Sequence, residues 1–418
     1  MSETPLDELM LRQSVSTNAH ACDTRFGEPA LERFGHDLRL CVGKPRRCLV
    51  VASEAAAAAG TAGGVGCGVL GVPASIASTA VSAEKTLEVA PVEASCAPTG
   101  DAALSLQERV RRLVADAGFH AEAHTIATGE RGVSDAARLP EYLELLAAHH
   151  LTQDDALVAV GNQAFLATWN HVAALWGQGM WYAGVATSLP ALITACATPA
   201  GLTCGEVTHM VRAHTRMSLN YTAPSICAGF AAGEEQDLAR ALMVATAACE
   251  SNESLKSLVS ASEALAAGVV ATTASCALEA ARSRGRVVSS TSAAVRNSLA
   301  YGTTLAAALA PEVPASEGRL LAEGMRFAAR LAVGMEIGQM DFVYLQDGLL
   351  ARLGLHEVPF DVDPKALVDR MKALVFARKN KFMFCVPFAP GRIRPQAVED
   401  ALLLEFVTAF CDARRALC

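Results

Sequence analysis

The side chains best suited to chemistry in this 418-residue chain fall into a few separate groups. Trp169, Asn170 and His171 stand together, with Trp176, Trp181 and Tyr182 close behind. Such a run can line an aromatic pocket in which His171 takes or gives a proton near neutral pH. The same run also reads as a helix whose bulky residues simply fill a core. His209 and His214 are five residues apart, off the i, i+4 face that helical metal-binding pairs use, so no metal is expected there. Arg378-Lys379-Asn380-Lys381, with Arg392 and Arg394, makes a basic cluster that suits either an anion or solvent. Glu250-Ser-Asn-Glu-Ser254 reads as a helix end in place of a carboxylate pair.

Thirteen cysteines are scattered with no C-x-x-C, which gives neither a zinc knuckle nor a thioredoxin-type pair. Cys196 and Cys204 are candidate nucleophiles by position, but a thiolate needs a basic neighbour and the sequence names none. Gly66-x-Gly68-x-x-Gly71 matches the dinucleotide fingerprint, yet some dozen residues separate it from the strand candidate Cys48–Ala52 that should run straight into it.

Composition narrows the class. Apolar residues make up 52% and charged residues only 19%, so the chain can build a large core and is not disordered as a whole. A net charge of −8 argues against nucleic acid or anionic membrane as the main partner. Residues 55–83 are uncharged, but Ala, Gly, Ser and Thr dominate and Pro73 interrupts, so a flexible insert is expected and not a membrane span. The polar start, MSETPLDELMLRQ, carries no leader pattern, and with unpaired cysteines it points to the cytoplasm.

These residues need a frame. Residues 1–45 read as a polar N-terminal arm, 46–200 as an α/β domain with a low-complexity insert over 53–104, and 201–418 as a helical domain. Arg47–Ala52 and Asp155–Gly161 read as buried strands. Between them Leu104–Val114 has helical apolar spacing, Ala121–Ala127 is a short segment, and Asp135–His149 a helix. That alternation predicts a parallel sheet flanked by helices, a Rossmann-like domain. Beyond residue 200 helical patterns dominate: 238–248, 254–267, 273–283, 295–310, 316–334, 364–373 and 396–415. In such two-domain proteins the site is expected in the cleft between the domains.

The order of several segments resembles the dehydroquinate synthase family, the sugar phosphate cyclases. Gly129-Glu130 and Leu151–Gly161 are similar to the family's G-E-x-x-K stretch and its "V-A-L-G-G-G" strand. Ala174–Leu189 is similar to its "R-G…P-T-T-L-L" segment. Val295-Arg-Asn-Ser-Leu-Ala-Tyr-Gly-Thr-Thr304 is similar to "L-R-x-L-L-N-F-G-H-T", and Glu317–Met325 to "H-G-E-A-V-A-x-G-M". Met371–Pro387 stands in register with a final lysine-bearing segment. The resemblance covers roughly residues 105–390 and implies a dehydroquinate synthase-like fold. It also implies a metal-dependent, NAD-using cyclase, which oxidises an alcohol transiently, eliminates phosphate and closes a carbocycle.

Carried over position by position, the resemblance puts the metal-ligand glutamate at Met243, its helix lysine at Thr246, and the two ligand histidines at Thr303 and Glu317. The motif asparagine falls at Ala300, a further histidine at Ala307, and a lysine near Val375. No histidine lies between His214 and His356. The glycine triplet becomes Gly161-Asn162-Gln163, its closing aspartate Ala167, and "D-x-S-V-G-G-K" becomes Thr194–Ala200. Glu130, Gly161, Thr187 and Ser188 are left as cofactor-site remnants, and His171, Arg296 and Glu317 as cleft candidates. The sequence therefore leads us to expect no NAD and no divalent metal. The expected role is a pseudoenzyme, acting as a scaffold, partner subunit or small-molecule binder. The alternative is an enzyme of specialised metabolism, repurposed to work in the old cleft without the metal. A homodimer, or a heterodimer with an intact paralogue, is implied by the resemblance.

Overall fold

A seven-stranded sheet organises the first half of the chain, in the computed structural model that describes residues 9–16, 20–44, 46–58, 104–129 and 132–418. Its strands are β1 (Leu11–Ser16), β2 (Ala21–Phe26), β3 (Arg47–Ser53), β4 (His120–Ile126), β5 (Ala156–Gly161), β6 (Trp181–Ala186) and β9 (Met217–Thr222). They lie in the order β1-β2-β9-β6-β5-β3-β4. Only the β1–β2 pair is antiparallel, and every other pairing in the sheet is parallel. β7 (Leu202–Cys204) and β8 (Val207–Val211) form a separate hairpin. The helices of this half are α1 (Glu28–Glu32), α2 (Phe34–Val42), α3 (Glu54–Ala58), α4 (Leu106–Asp116), α5 (Leu139–Ala148), α6 (Gln163–Leu175) and α7 (Leu189–Thr194).

Parallel strands covered on both faces should read as continuous apolar runs, and β5 does: Ala-Leu-Val-Ala-Val-Gly is buried throughout. One sheet face packs Val50, Val158, Val185 and Tyr221 against Leu31, Phe34, Leu38, Val110 and Val114 of α1, α2 and α4. The other packs Leu49, Val51, Leu157 and Tyr182 against α6 and α7, and this core runs on into the helical half. The α/β fold class stands as expected from the alternation.

The N-terminal arm does not. Residues 11–42 supply β1, β2, α1 and α2, and β2 pairs directly with β9. β2 alternates Cys22, Thr24 and Phe26 inward while its other side chains stay wetter, so its polar composition is that of a strand near a sheet edge. The sheet also extends past residue 200, since β9 belongs to it. Most of the expected insert over 53–104, with its glycine fingerprint, lies outside the described residues, as does Glu130.

The second half is α8 (Glu234–Glu250), α9 (Asn252–Ala266), α10 (Val270–Val288), α11 (Ala293–Arg296), α12 (Thr303–Leu309), α13 (Glu317–Gly334), α14 (Met340–Arg352), α15 (Pro364–Phe376) and α16 (Asp400–Arg415). A small hairpin, β10 (Phe384–Pro387) with β11 (Ile393–Gln396), is set among them. Two glycine contacts fix how α8, α12 and α13 meet. A Cβ at Gly318 would sit 2.2 Å from the Asp237 carbonyl carbon, and one at Gly324 would sit 1.9 Å from the Gly302 oxygen. Gly302 itself is left-handed, at φ +80°, where it turns the chain into α12. The helices touch backbone to backbone at these points. Ser316 locks the crossing: it caps α13 through the Arg319 N–H and donates to Asp237 at 2.8 Å. Among the described residues no helix is long and apolar enough to cross a membrane.

Candidate functional site

Where β5 and β6 end, the sheet meets the first turns of α8 and α13. Asn162 follows Gly161 and caps α6, its Oδ1 accepting from the Phe165 N–H at 3.1 Å. Gly161 is needed for packing, since a Cβ there would press within 2.8 Å of the Phe165 ring. Thr187 donates its backbone N–H to the Gly161 carbonyl at 3.0 Å. Ser188 follows, buried, with an Oγ that makes no hydrogen bond within 3.5 Å. That hydroxyl lies toward the Glu235 carboxyl and favours its charged form, but burial outweighs it and Glu235 is raised above the usual carboxylate range. Glu317 adds to the rise in Glu235. Crowding around the Glu317 carboxyl raises it too, while His209 on the β7–β8 hairpin opposes the shift. Glu235, Glu317, Ser188 and His209 thus share one electrostatic neighbourhood, of which the sequence singled out Ser188 and Glu317.

A buried cation stands farther along α8, its threonine partner about 16 Å along the helix from Glu235. α10 carries three arginines: Arg282 and Arg286 pair outward with Glu279 and Glu250. Arg284 turns inward, 92% buried, and meets no carboxylate among the described residues. Its Nε donates to Thr198 Oγ1 at 2.7 Å and its Nη1 to Thr246 Oγ1 at 3.1 Å. Thr198 follows α7 and Thr246 lies on α8, so three elements converge on one guanidinium. Burial lowers Arg284 to about 10, which leaves it fully charged at neutral pH. Thr246 is the position the resemblance gives to a lysine, and Thr198 lies in the stretch that loses another. The charge missing at those positions reappears from α10.

One more cation is linked to it: Arg394 acts electrostatically on Cys249, as Arg284 does. Arg378 has its charge disfavoured first by burial and then by Arg212. Burial pushes the Cys249 thiol up to about 12. Cys196 behaves differently: a hydrogen bond from the Cys22 thiol lowers it, with Arg284 contributing. The basic neighbour that the sequence did not name is Arg284.

The other candidates are not brought to this place. His171 is a core histidine on α6, its Nδ1 bonded to the Ala167 carbonyl at 2.7 Å and its charged form disfavoured first by burial. Trp169 packs on Tyr142 at 5.1 Å, Trp176 donates to the Leu151 carbonyl, and Tyr182 donates to the Leu166 carbonyl. Trp169 and Tyr182 are thus core residues, while Trp181 stands exposed at the start of β6. Arg296 is exposed and braces its own loop through the Ser290 and Thr291 carbonyls. Cys204 is exposed on β7. A surface groove of about 510 Å³, lined by Arg326, Asp347, His356 and Glu357 among others, lies away from the junction in the helical half.

At the positions the resemblance gives to the metal, Met243 is buried in the α8 core. Thr303 opens α12 and donates to the Ala300 carbonyl. Met243 lies two helical turns, about 12 Å, along α8 from Glu235, so Glu235 and not the Met243 position is what Glu317 meets. Two carboxylates and an imidazole are the donors present. Among the described residues, no three His, Cys, Asp or Glu side chains are already gathered to hold a metal ion. As arranged, they do not make up a complete ligand set.

No family model matches the chain. Over 116 residues it is 30% identical to the 3-dehydroquinate synthase of Dehalococcoides mccartyi, a match covering 27% of this chain and about a third (32%) of that relative. The whole fold is similar to 2-deoxy-scyllo-inosose synthase complexed with carbaglucose-6-phosphate, NAD+ and Co2+ (TM-score 0.70, 14% identity, 96% of this chain and 99% of that one). It is also similar to 2-epi-5-epi-valiolone synthase from Streptomyces hygroscopicus subsp. jinggangensis 5008 with NAD+ and Zn2+ bound (TM-score 0.67, 12% identity, 94% and 97%). The resemblance to the dehydroquinate synthase and sugar phosphate cyclase family stands, and the fold is the one these synthases share. These structures correct one expectation. Proteins of this fold hold NAD+ with Co2+ or Zn2+, so the expectation that this chain takes no cofactor does not stand.

Proposed function

We propose that this chain is a cyclase-fold protein that binds a small phosphorylated polyol where α7, α8 and α10 meet, and that it serves as a binding or partner subunit without completing the cyclase reaction. Arg284 carries the reading. A buried guanidinium held, among the described residues, by two threonine hydroxyls is costly unless an anion completes it. Phosphate, with several charged acceptor oxygens, suits a guanidinium and flanking hydroxyls. Arg394 makes no ion pair among the described residues and, acting on the same Cys249 as Arg284, adds positive potential nearby. The similar 2-deoxy-scyllo-inosose synthase structure holds carbaglucose-6-phosphate, which supports the ligand class.

The partner-subunit reading rests on Met243, Ala300 and Ala307, whose side chains have no proton to transfer, and on Thr303, whose hydroxyl is a poor metal ligand and is spent on the Ala300 carbonyl, at the positions where the resemblance puts reacting groups. Free thiols at every described cysteine suit a reducing cytoplasm. A second reading is favoured by Glu235 and Glu317. Two raised carboxyls, Glu235 beside Ser188 and its neighbour Glu317, are suited to proton transfer, and would make the chain an enzyme working at the start of α8. Glucose 6-phosphate, supplied with NAD+ and Co2+, separates the two. Saturable stabilisation without release of inorganic phosphate is expected. Steady phosphate release that disappears in Glu235→Gln would establish the enzyme reading, and no stabilisation at all would remove both.

A further inference from the structure

The surface groove in the helical half rests on a network of ions that stops one hydrogen bond short. Arg326, buried on α13, donates from Nη1 to Glu323 Oε1 at 2.8 Å and from Nη2 to the Leu355 carbonyl. Arg414 donates from Nε to the other Glu323 oxygen at 2.6 Å and reaches Glu357 at 3.0 Å. Asp347 on α14 takes Arg330 at 2.6 Å through Oδ2. Three arginines thus meet three carboxylates, and the charges cancel. One donor and one acceptor are left over. Among the described residues Arg326 Nε makes no hydrogen bond, and Asp347 Oδ1, which it faces across 4.0 Å, accepts none. Both residues line the groove, whose volume of about 510 Å³ lies in the range of small-molecule sites. Ala351, Pro359 and Leu417 give it an apolar wall, and exposed Glu357 adds a further acceptor.

We propose that this groove binds a neutral polyol of the monosaccharide class, at a site separate from the Arg284 pocket. A hydroxyl can accept from Arg326 Nε–H and donate to Asp347 Oδ1 at once, which neither an anion nor an ammonium group can do. The spacing suits it, since an oxygen within ordinary hydrogen-bond reach of both fits between two atoms 4.0 Å apart. Asp347 is the more accessible of the two, with 22% of its side chain open, while Arg326 is fixed beneath it by Glu323 and Leu355. The donor is therefore in place before a ligand arrives. Because the network is balanced in charge, it exerts no net pull on a phosphate or an amine, whereas the unpaired charge of Arg284 selects an anion. Glu357 can take a second hydroxyl, and the apolar wall suits the C–H face of a sugar ring.

The test is a ligand-observed NMR titration of the full chain with D-glucose, D-galactose and D-mannose, with and without inorganic phosphate. At least one of the three sugars is expected to bind saturably at millimolar concentration, and phosphate should not displace it. Ala351→Trp, which fills the groove from an exposed position on α14, should weaken that binding about 10-fold or more. Asp347→Asn, which removes the charged acceptor, should weaken it by a similar factor, and thermal melts identify which variants are folded. Arg284→Met should leave sugar binding unchanged, so this site and the phosphate site succeed or fail independently. No saturable binding of any of the three sugars, wild-type affinity in the folded groove variants, or displacement by phosphate would each overturn the site.

Discussion

Two arginine clusters lie in this molecule, and they are finished differently. In the helical half, Arg326 and Arg414 close on the buried Glu323 at 2.8 and 2.6 Å, Arg414 also reaches Glu357 at 3.0 Å, and Arg330 reaches Asp347 at 2.6 Å. Between α7, α8 and α10, Arg284 is almost as deeply buried and has, among the described residues, only Thr198 and Thr246. Saturated charge holds helices in register, whereas unsaturated charge leaves room for something else to bind. Burial alone would rank the two clusters together; partner chemistry separates them.

The sharpest way to break this contrast is to unpair the saturated cluster. Glu323→Gln leaves two guanidinium groups without their shared carboxylate in the core and should cost about 3–5 kcal/mol, read by denaturant unfolding. A cost below about 1 kcal/mol would mean that the cluster is no more structural than Arg284. Gly324→Ala tests the backbone contact beside it. With the Gly302 oxygen 1.9 Å from the new methyl, a loss of at least ~2 kcal/mol is expected from the same unfolding curves. Arg284→Met should behave in the opposite way, staying within about 1 kcal/mol of wild type or exceeding it, because an apolar chain replaces an unpaired charge. Marked destabilisation in that variant would move Arg284 into the structural class.

The smallest effect concerns pH. Glu235 has its folded pKa raised, first by burial, so the folded state holds its proton over a range where the unfolded chain has released it. Its contribution therefore favours folding at acid pH and declines as pH climbs past the ordinary glutamate range toward the raised value. Glu235→Gln should flatten that part of the stability-against-pH curve, and an unchanged slope would show that the carboxyl is not desolvated as described.

Much of the frame was legible in the sequence because it rests on periodicity and on glycines. β5 announces itself as an apolar run, and the motif glycines 302, 318 and 324 stand where backbones touch. The N-terminal hairpin was missed because β1 buries little beyond Val15, so its polar residues read as an arm. Arg284 was missed for a different reason: in Arg282-Ser-Arg-Gly-Arg286 it looks like one of three surface charges, and only the facing of α10 sends it inward. Glu235 was likewise hidden in an acidic helix start. His171 bonds within its own helix and Arg296 within its own loop, and in sequence such local partners leave no mark.

The central claim is that Arg284 is an open anion site, and isothermal titration with inorganic phosphate tests it on wild type and Arg284→Met side by side. The account predicts saturable binding by the wild type and a loss of about 100-fold or more in the folded variant, a buried charge-assisted contact being worth ~3 kcal/mol. Equal phosphate affinity in the two proteins would contradict it.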